Sequence, residues 1–266
     1  MTRPRFGEQR LHDENKGLLE KLWYRALGVA DPAHYLHWRY LSGALDSLRG
    51  FAPQRILDAG CGAGDYSFYL ARLFPEATVL GIDIDEKLIV RNKAMAGRLG
   101  IRNVDFEARD LSGTRFPEQF DFVLSIDVLE HVEAQEQAIA NLCASLKHGG
   151  IAYFHIPTVR ERPVPFHNRL AEFRAWAERE HVARERMYTE FIEVVRRHLV
   201  VIRVRRTFGY FTGELATSLF AMPYRNTLFN RVEQVLLAPI CRALAIADSS
   251  KIDGVRYAVA VLGSRP

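Results

Sequence analysis

The chain has 266 residues, 48% hydrophobic and 26% charged, which is enough for one well-buried domain and excludes a disordered or low-complexity protein. A formal net charge of +4 is too mild by itself to imply a nucleic-acid partner. No apolar run approaches the roughly 18 residues of a membrane span, and Cys61, Cys143 and Cys241 lie too far apart to suggest a metal pair or a disulfide framework.

Met1 to Lys16 is polar and lacks the apolar core of a signal peptide, so a cytoplasmic location is expected, and free thiols suit it. Residues 11–50 read as helices interrupted near Gly28 and Asp31-Pro32, with Pro32 at a first helical position and an aromatic-rich segment from Tyr35 to Leu41 behind it. The β-prone run Arg55 to Leu57 then ends in Asp58, and glycines follow at alternate positions, Gly60, Gly62 and Gly64. A helical pattern starts at once, with Tyr66, Tyr69, Leu70 and Leu73 on one face and Asp65 placed to cap it. Glycines allow a strand to turn tightly into a helix and a ligand to approach the backbone. The spacing Gly-x-Gly-x-Gly, preceded by an acid and filled by Cys61, does not suit a pyrophosphate, which wants amides open to an anion. It suits a ligand with a ribose and a positive end.

Thr78 to Asp83 reads as a second strand ending in an acid that can accept ribose hydroxyls. Ile84 follows, and Asp85 fits the cap of a helix over 86–99. Val104 to Leu111 reads as a third strand entering an acidic turn at Asp110. Phe122 to Ile126 is a continuous apolar run, as in a strand buried on both faces, and leads into Asp127, Glu130 and His131. A helix over 133–146 and a fifth strand over Gly149 to Pro157 come next. Beyond lie a loop, Thr158 to Arg169, and a helical stretch, Leu170 to His198. Leu199 to Phe208 alternates apolar and basic residues, as a strand with one wet face does, and Val255 to Leu262 is a last strand. Gly209 to Gly254, longer than a hairpin needs, is apolar and largely helical.

Leu57-Asp58-Ala59-Gly60-Cys61-Gly62-Ala63-Gly64 resembles the first motif of the class I S-adenosylmethionine-dependent methyltransferases, and the segments ending in Asp83, Asp110 and His131 resemble its later motifs in the same order. The resemblance covers about residues 51–158. It implies an α/β fold: a Rossmann-like, seven-stranded, mostly parallel sheet with helices on both faces and the last strand antiparallel. Residues 51–208 and 254–266 would form the core, 1–50 an N-terminal helical cap and 209–253 an insertion in the same domain. That insertion can roof a substrate pocket, pair two copies into a homodimer or lie on a membrane surface; a lid is the expectation. The implied cofactor is S-adenosyl-L-methionine. Asp58, Gly60, Cys61, Gly62 and Gly64 would form its loop, Asp83 would take the ribose and Ile84 the adenine face. Asp110 would meet the adenine amino group, with Leu111 lining the ring and Ile126 at the end of strand four.

A hydroxyl acceptor needs a base, and histidine is the side chain nearest neutrality. His131 and His155 are the expected catalytic residues, with His167 and His181 further candidates. In some family branches an acid-x-x-Glu-His motif binds a divalent cation, so Asp127, Glu130 and His131, with His155 or His167 as a fourth ligand, stand as an alternative set for Mg²⁺ or Mn²⁺; the reading adopted is metal-free. The expected activity is methyl transfer to a small-molecule acceptor, a hydroxyl of a partly apolar biosynthetic intermediate. N- or C-methylation of a small molecule is one alternative. Another is metal-dependent RNA 2′-O-methylation, favoured by twelve Arg against seven Glu in residues 159–206. No RNA-binding module accompanies that segment, so no nucleic-acid partner is expected.

Overall fold

The computed structural model describes residues 4–14, 17, 18, 21, 25, 32–158, 188–209, 212, 213, 215, 216, 239–241, 243–248 and 256–266. Its strands are β1 (Arg55–Ala59), β2 (Thr78–Asp83), β3 (Val104–Ala108), β4 (Phe120–Ile126), β5 (Leu146–Pro157), β6 (Val200–Gly209) and β7 (Arg256–Ser264). They form one sheet in the order β3-β2-β1-β4-β5-β7-β6. The pairings from β3 across to β5 are parallel, and β7 runs antiparallel to both β5 and β6. The described helices are α1 (Pro32–Ser47), α2 (Asp65–Leu73), α3 (Glu86–Leu99), α4 (Gln135–Ser145) and α5 (Tyr188–Arg196).

Helices cover both faces. Leu41 of α1, Phe68 and Leu70 of α2 and Met95 of α3 join one core cluster with Ile56, Phe122 and Leu124 of the sheet. Ile139 and Leu142 of α4 and Phe191 and Val195 of α5 join the other, with Leu57, Val123 and Phe154. That double burial is why β4 is apolar at every position from Phe122 to Leu124, rather than alternating. The chain leaves β1 toward β2 and β3, then returns to β4 on the other side. Such a reversal opens a crevice at the carboxyl ends of β1 and β4, where open α/β sheets bind ligands.

Several expectations need correction. Asp65 does not cap α2: the N-cap is Gly64, in a left-handed conformation, with no side-chain cap bond. Asp65 is drawn instead to the N-terminal segment, where its carboxylate accepts hydrogen bonds from Gln9 and Arg10. Asp85 does cap α3, accepting from the amides of Lys87 and Leu88. β5 starts at Leu146, upstream of the glycines, because Leu146 still pairs with Phe120 around an irregularity. In β6 the apolar residues of the first half, Val200, Ile202 and Val204, are exposed rather than turned inward. As the outermost strand, β6 buries only its far end, Thr207 to Gly209.

The loop predicted over 159–169, the helix predicted over 170–187 and most of the 209–253 insertion lie outside the described residues. Of the insertion, residues 243–248 are helical, and buried Asp248 accepts from the amides of Gly209 at 2.7 Å and Gly213 at 3.2 Å and from the Thr212 hydroxyl. No helix among the described residues is long and apolar enough to cross a membrane.

Candidate active site

The turn after β1 is built from both sides. The amides of Gly60 and Cys61 both donate to the Ile82 carbonyl at 2.8 Å, tying the turn to β2. Gly60 has φ 80°, and a Cβ there would stand 2.3 Å from a Val128 methyl carbon, so only glycine fits. Gly62 also has positive φ, but an added Cβ would meet nothing within 4 Å. Its amide donates to Asp83 at 2.8 Å, and its carbonyl accepts from the Asn92 amide group at 2.8 Å. The peptide is therefore fixed in place with its outer side open.

Asp83 ends β2, and its other oxygen accepts from the Asp85 amide at 3.0 Å. An ionised carboxylate has about four acceptor positions, so two backbone bonds leave capacity for a ligand's hydroxyls. Asp83 and Gly60 border a cleft of ≈ 680 Å³ that Ile84, Asp110, Leu111, Val128 and His131 also line. Ile84 is 74% exposed, a large apolar side chain standing free over that opening. Asp110 is pinned as an acceptor by the amide and hydroxyl of Ser112, which hold its carboxyl below the usual range.

Other expected cofactor residues stand behind the cleft. Asp58 is buried and accepts from the Ser67 hydroxyl at 2.6 Å. Burial, with the charge of Asp83 adding to it, outweighs that bond and raises its pKa to about 7. Burial, and then the charges of Asp58 and Asp83, push the Cys61 thiol far up, so it remains protonated. Gly64 starts α2, and Ile126 closes β4 as a buried side chain. Over the glycine turn lies the strap Glu8–His12, a single turn of 3-10 helix. Gln9 and Arg10 hold Asp65, Glu8 pairs with Arg72, and Asp13 pairs with Arg91. Burial favours a protonated Asp65, but Arg10 outweighs it and holds the carboxyl below its ordinary value.

The expected catalytic histidines differ sharply. His131 lies on the cleft wall, partly exposed, with Nε2 3.8 Å from buried Glu130. His155 is buried on β5 with both nitrogens engaged: Nδ1 lies 2.6 Å from Asp127 and Nε2 2.9 Å from the Thr207 hydroxyl. His167 and His181 lie outside the described residues. The surprise is His37 of α1. Its Nε2 stands 3.0 Å from the second oxygen of Asp127, and its ring meets that of His155 edge-on at 4.6 Å. Asp127 thus sits between two imidazoles, at a left-handed φ of 52°. Burial works against its ionisation, but His37 and His155 outweigh it and hold the carboxyl far below the usual range. Among the described residues His37, Asp127 and His155 are the group close enough to share a cation; Glu130 and His131 are not part of it.

Comparison with known proteins decides the family. Residues 52–197 match a family described as a methyltransferase domain. The chain belongs to the class I S-adenosylmethionine-dependent methyltransferases. It is 30% identical over 138 residues to a ubiquinone biosynthesis O-methyltransferase of Coxiella burnetii, covering 50% of this chain and 55% of that relative. It is also 30% identical over 103 residues to a malonyl-[acyl-carrier protein] O-methyltransferase of Bacillus cereus, covering 39% of this chain and 37% of the relative. The chain therefore spans about half or less of the length of these curated methyltransferases. A solved geranyl diphosphate methyltransferase in complex with S-adenosylmethionine shares the fold at TM-score 0.61 and 16% identity, over 98% of this chain and 96% of the other.

Proposed function

We propose that this methyltransferase transfers a methyl group from S-adenosyl-L-methionine to a hydroxyl or other oxygen of a small molecule. The donor supplies an electrophilic methyl on a sulfonium. The site fits it: an open glycine peptide at Gly62, a fastened carboxylate with spare acceptor capacity at Asp83, and an exposed apolar face at Ile84. Gly60, Gly62, Asp83, Ile84, Asp110 and Leu111 would touch the donor directly. Asp58, Cys61, Gly64 and Ile126 would support the turn from behind.

The observation that carries the choice of acceptor is Asp127, flanked by His37 and His155 and placed one residue before Val128 of the cleft wall. A cluster that can exchange protons or hold a cation suits an oxygen acceptor, which must lose a proton, better than an amine. The curated relatives just described carry O-methyltransferase names, which agrees with this reading. The protein's share of the chemistry is then to align the acceptor and keep water out.

The test is turnover with methyl-labelled S-adenosylmethionine against a panel of dihydroxybenzoates, prenylated phenols, small carboxylic acids and matched amines. Labelled ether or ester products are expected. Product from the amines alone, or from RNA alone, would sink the oxygen reading.

A further inference from the structure

We propose that His37, Asp127 and His155 form a binding site for one divalent transition-metal ion, of the Zn²⁺, Co²⁺ or Fe²⁺ class, next to Val128 of the cleft wall. One candidate ligand atom from each residue lies within 4.8 Å of the others, although the residues come from α1, the turn after β4 and β5. Two imidazoles and a carboxylate are the donor set of these borderline cations, whereas Mg²⁺ and Ca²⁺ prefer oxygen throughout.

Three features separate this group from an ordinary ion pair. The first is Nε2 of His37, a residue 7% exposed. It faces Asp127 Oδ2 at 3.0 Å but makes no well-aligned hydrogen bond, so this buried ring nitrogen keeps its ligating capacity. The second is Thr207. Its buried hydroxyl stands 2.9 Å from His155 Nε2, the position from which a supporting group fixes the tautomer of a metal-binding histidine. With the ring proton on Nε2, toward Thr207, a cation could take Nδ1 and the Asp127 oxygen, 2.6 Å apart, in place of the hydrogen bond between them. The third is the backbone of Asp127, a non-glycine residue at φ 52°, a conformation tolerated where it aims a functional group.

Three protein ligands leave coordination positions for water or for an acceptor oxygen, and a bound cation lowers the pKa of a coordinated hydroxyl, whose proton leaves to solvent. Only this use of the ion rests on the oxygen-acceptor reading; the site itself does not.

The experiment titrates the full chain, stripped with EDTA, with CoCl₂ and separately with ZnCl₂, followed by calorimetry and by visible ligand-field absorption. A single equivalent is expected to bind. His37→Gln and His155→Gln should each weaken Co²⁺ by more than the ~10–100-fold that Thr207→Val, the loss of a supporting partner, should cost. His131→Gln should bind as the wild type does, and thermal melts establish that each variant folds. No Co²⁺ binding by the wild type, equal binding by His37→Gln, or loss of binding in His131→Gln would each overturn the proposal. Cobalt bound at the cluster without oxygen methylation would leave the metal site standing and remove the acceptor reading. Turnover without any metal binding would do the reverse.

Discussion

Replacing Gly60 by alanine tests how the glycine turn is held. The residue has φ 80°, and an added Cβ would stand 2.3 and 2.4 Å from the two methyl carbons of Val128. The left-handed backbone costs an alanine about 1–2 kcal/mol. Overpacking against Val128 adds about 1–3 kcal/mol. The stiffer unfolded chain returns about 0.4–1 kcal/mol. Gly60→Ala should therefore lose about 2–4 kcal/mol of stability. Gly62→Ala is the internal comparison: φ is again positive at 50°, but no atom lies within 4 Å, so only the backbone cost less the same unfolded-chain gain applies, about 0–1.5 kcal/mol. Guanidinium unfolding at constant m-value gives both numbers. The double variant Gly60→Ala/Val128→Ala should recover much of the packing part, although the Val128 Cβ stays 2.8 Å from the added carbon, and should appear as a coupling of about 1 kcal/mol in the cycle. Equal costs for Gly60→Ala and Gly62→Ala, or no rescue by Val128→Ala, would refute the packing account of this turn.

Other outcomes follow from the same structure. Asp58 holds its proton in the native state up to about pH 7, whereas an unfolded aspartate releases it near ~3.9. The native state therefore binds the extra proton, and stability falls as pH rises from about 4 to 7, by at most about 4 kcal/mol. Asp58→Asn should flatten that slope in a pH series of denaturation midpoints, and an unchanged slope would contradict it. Arg10→Met leaves the buried Asp65 carboxylate without its cation and should cost about 1–3 kcal/mol, with faster proteolysis of the N-terminal strap. Undiminished protection of that segment would count against the clasp. Asp85→Ala removes the two cap bonds of α3 and should cost about 1 kcal/mol by thermal or chemical melting.

Much of the core was legible because its signals are local. Parallel strands buried on both faces read as apolar runs, and Phe122 to Ile126 announces β4 without any partner. The turn from Asp58 to Gly64 and the acid closing β2 are spelled within one βαβ unit. What escaped depends on residues distant in sequence. Asp65 looks like a cap, yet its partners Gln9 and Arg10 lie more than 50 positions upstream, |i−j| being 56 and 55. His37 sits in a buried aromatic stretch of α1, and nothing local tells that its ring meets Asp127 and His155 across the top of the sheet. The one available hint was a polar ring among Tyr35, Leu36 and Tyr40, all buried. At β6, alternation told that a strand exists but not which of its faces is covered, since that depends on its place at the sheet edge.

Calorimetric titration with S-adenosylhomocysteine, run in parallel on the wild type and Asp83→Ala, probes the donor cleft most directly. Single-site binding by the wild type is predicted, with affinity falling ~100-fold once the carboxylate that would receive two ribose hydroxyls is gone. Absence of binding to the wild type, or equal affinity in both proteins, would contradict the placement of the donor at the ends of β1 and β2.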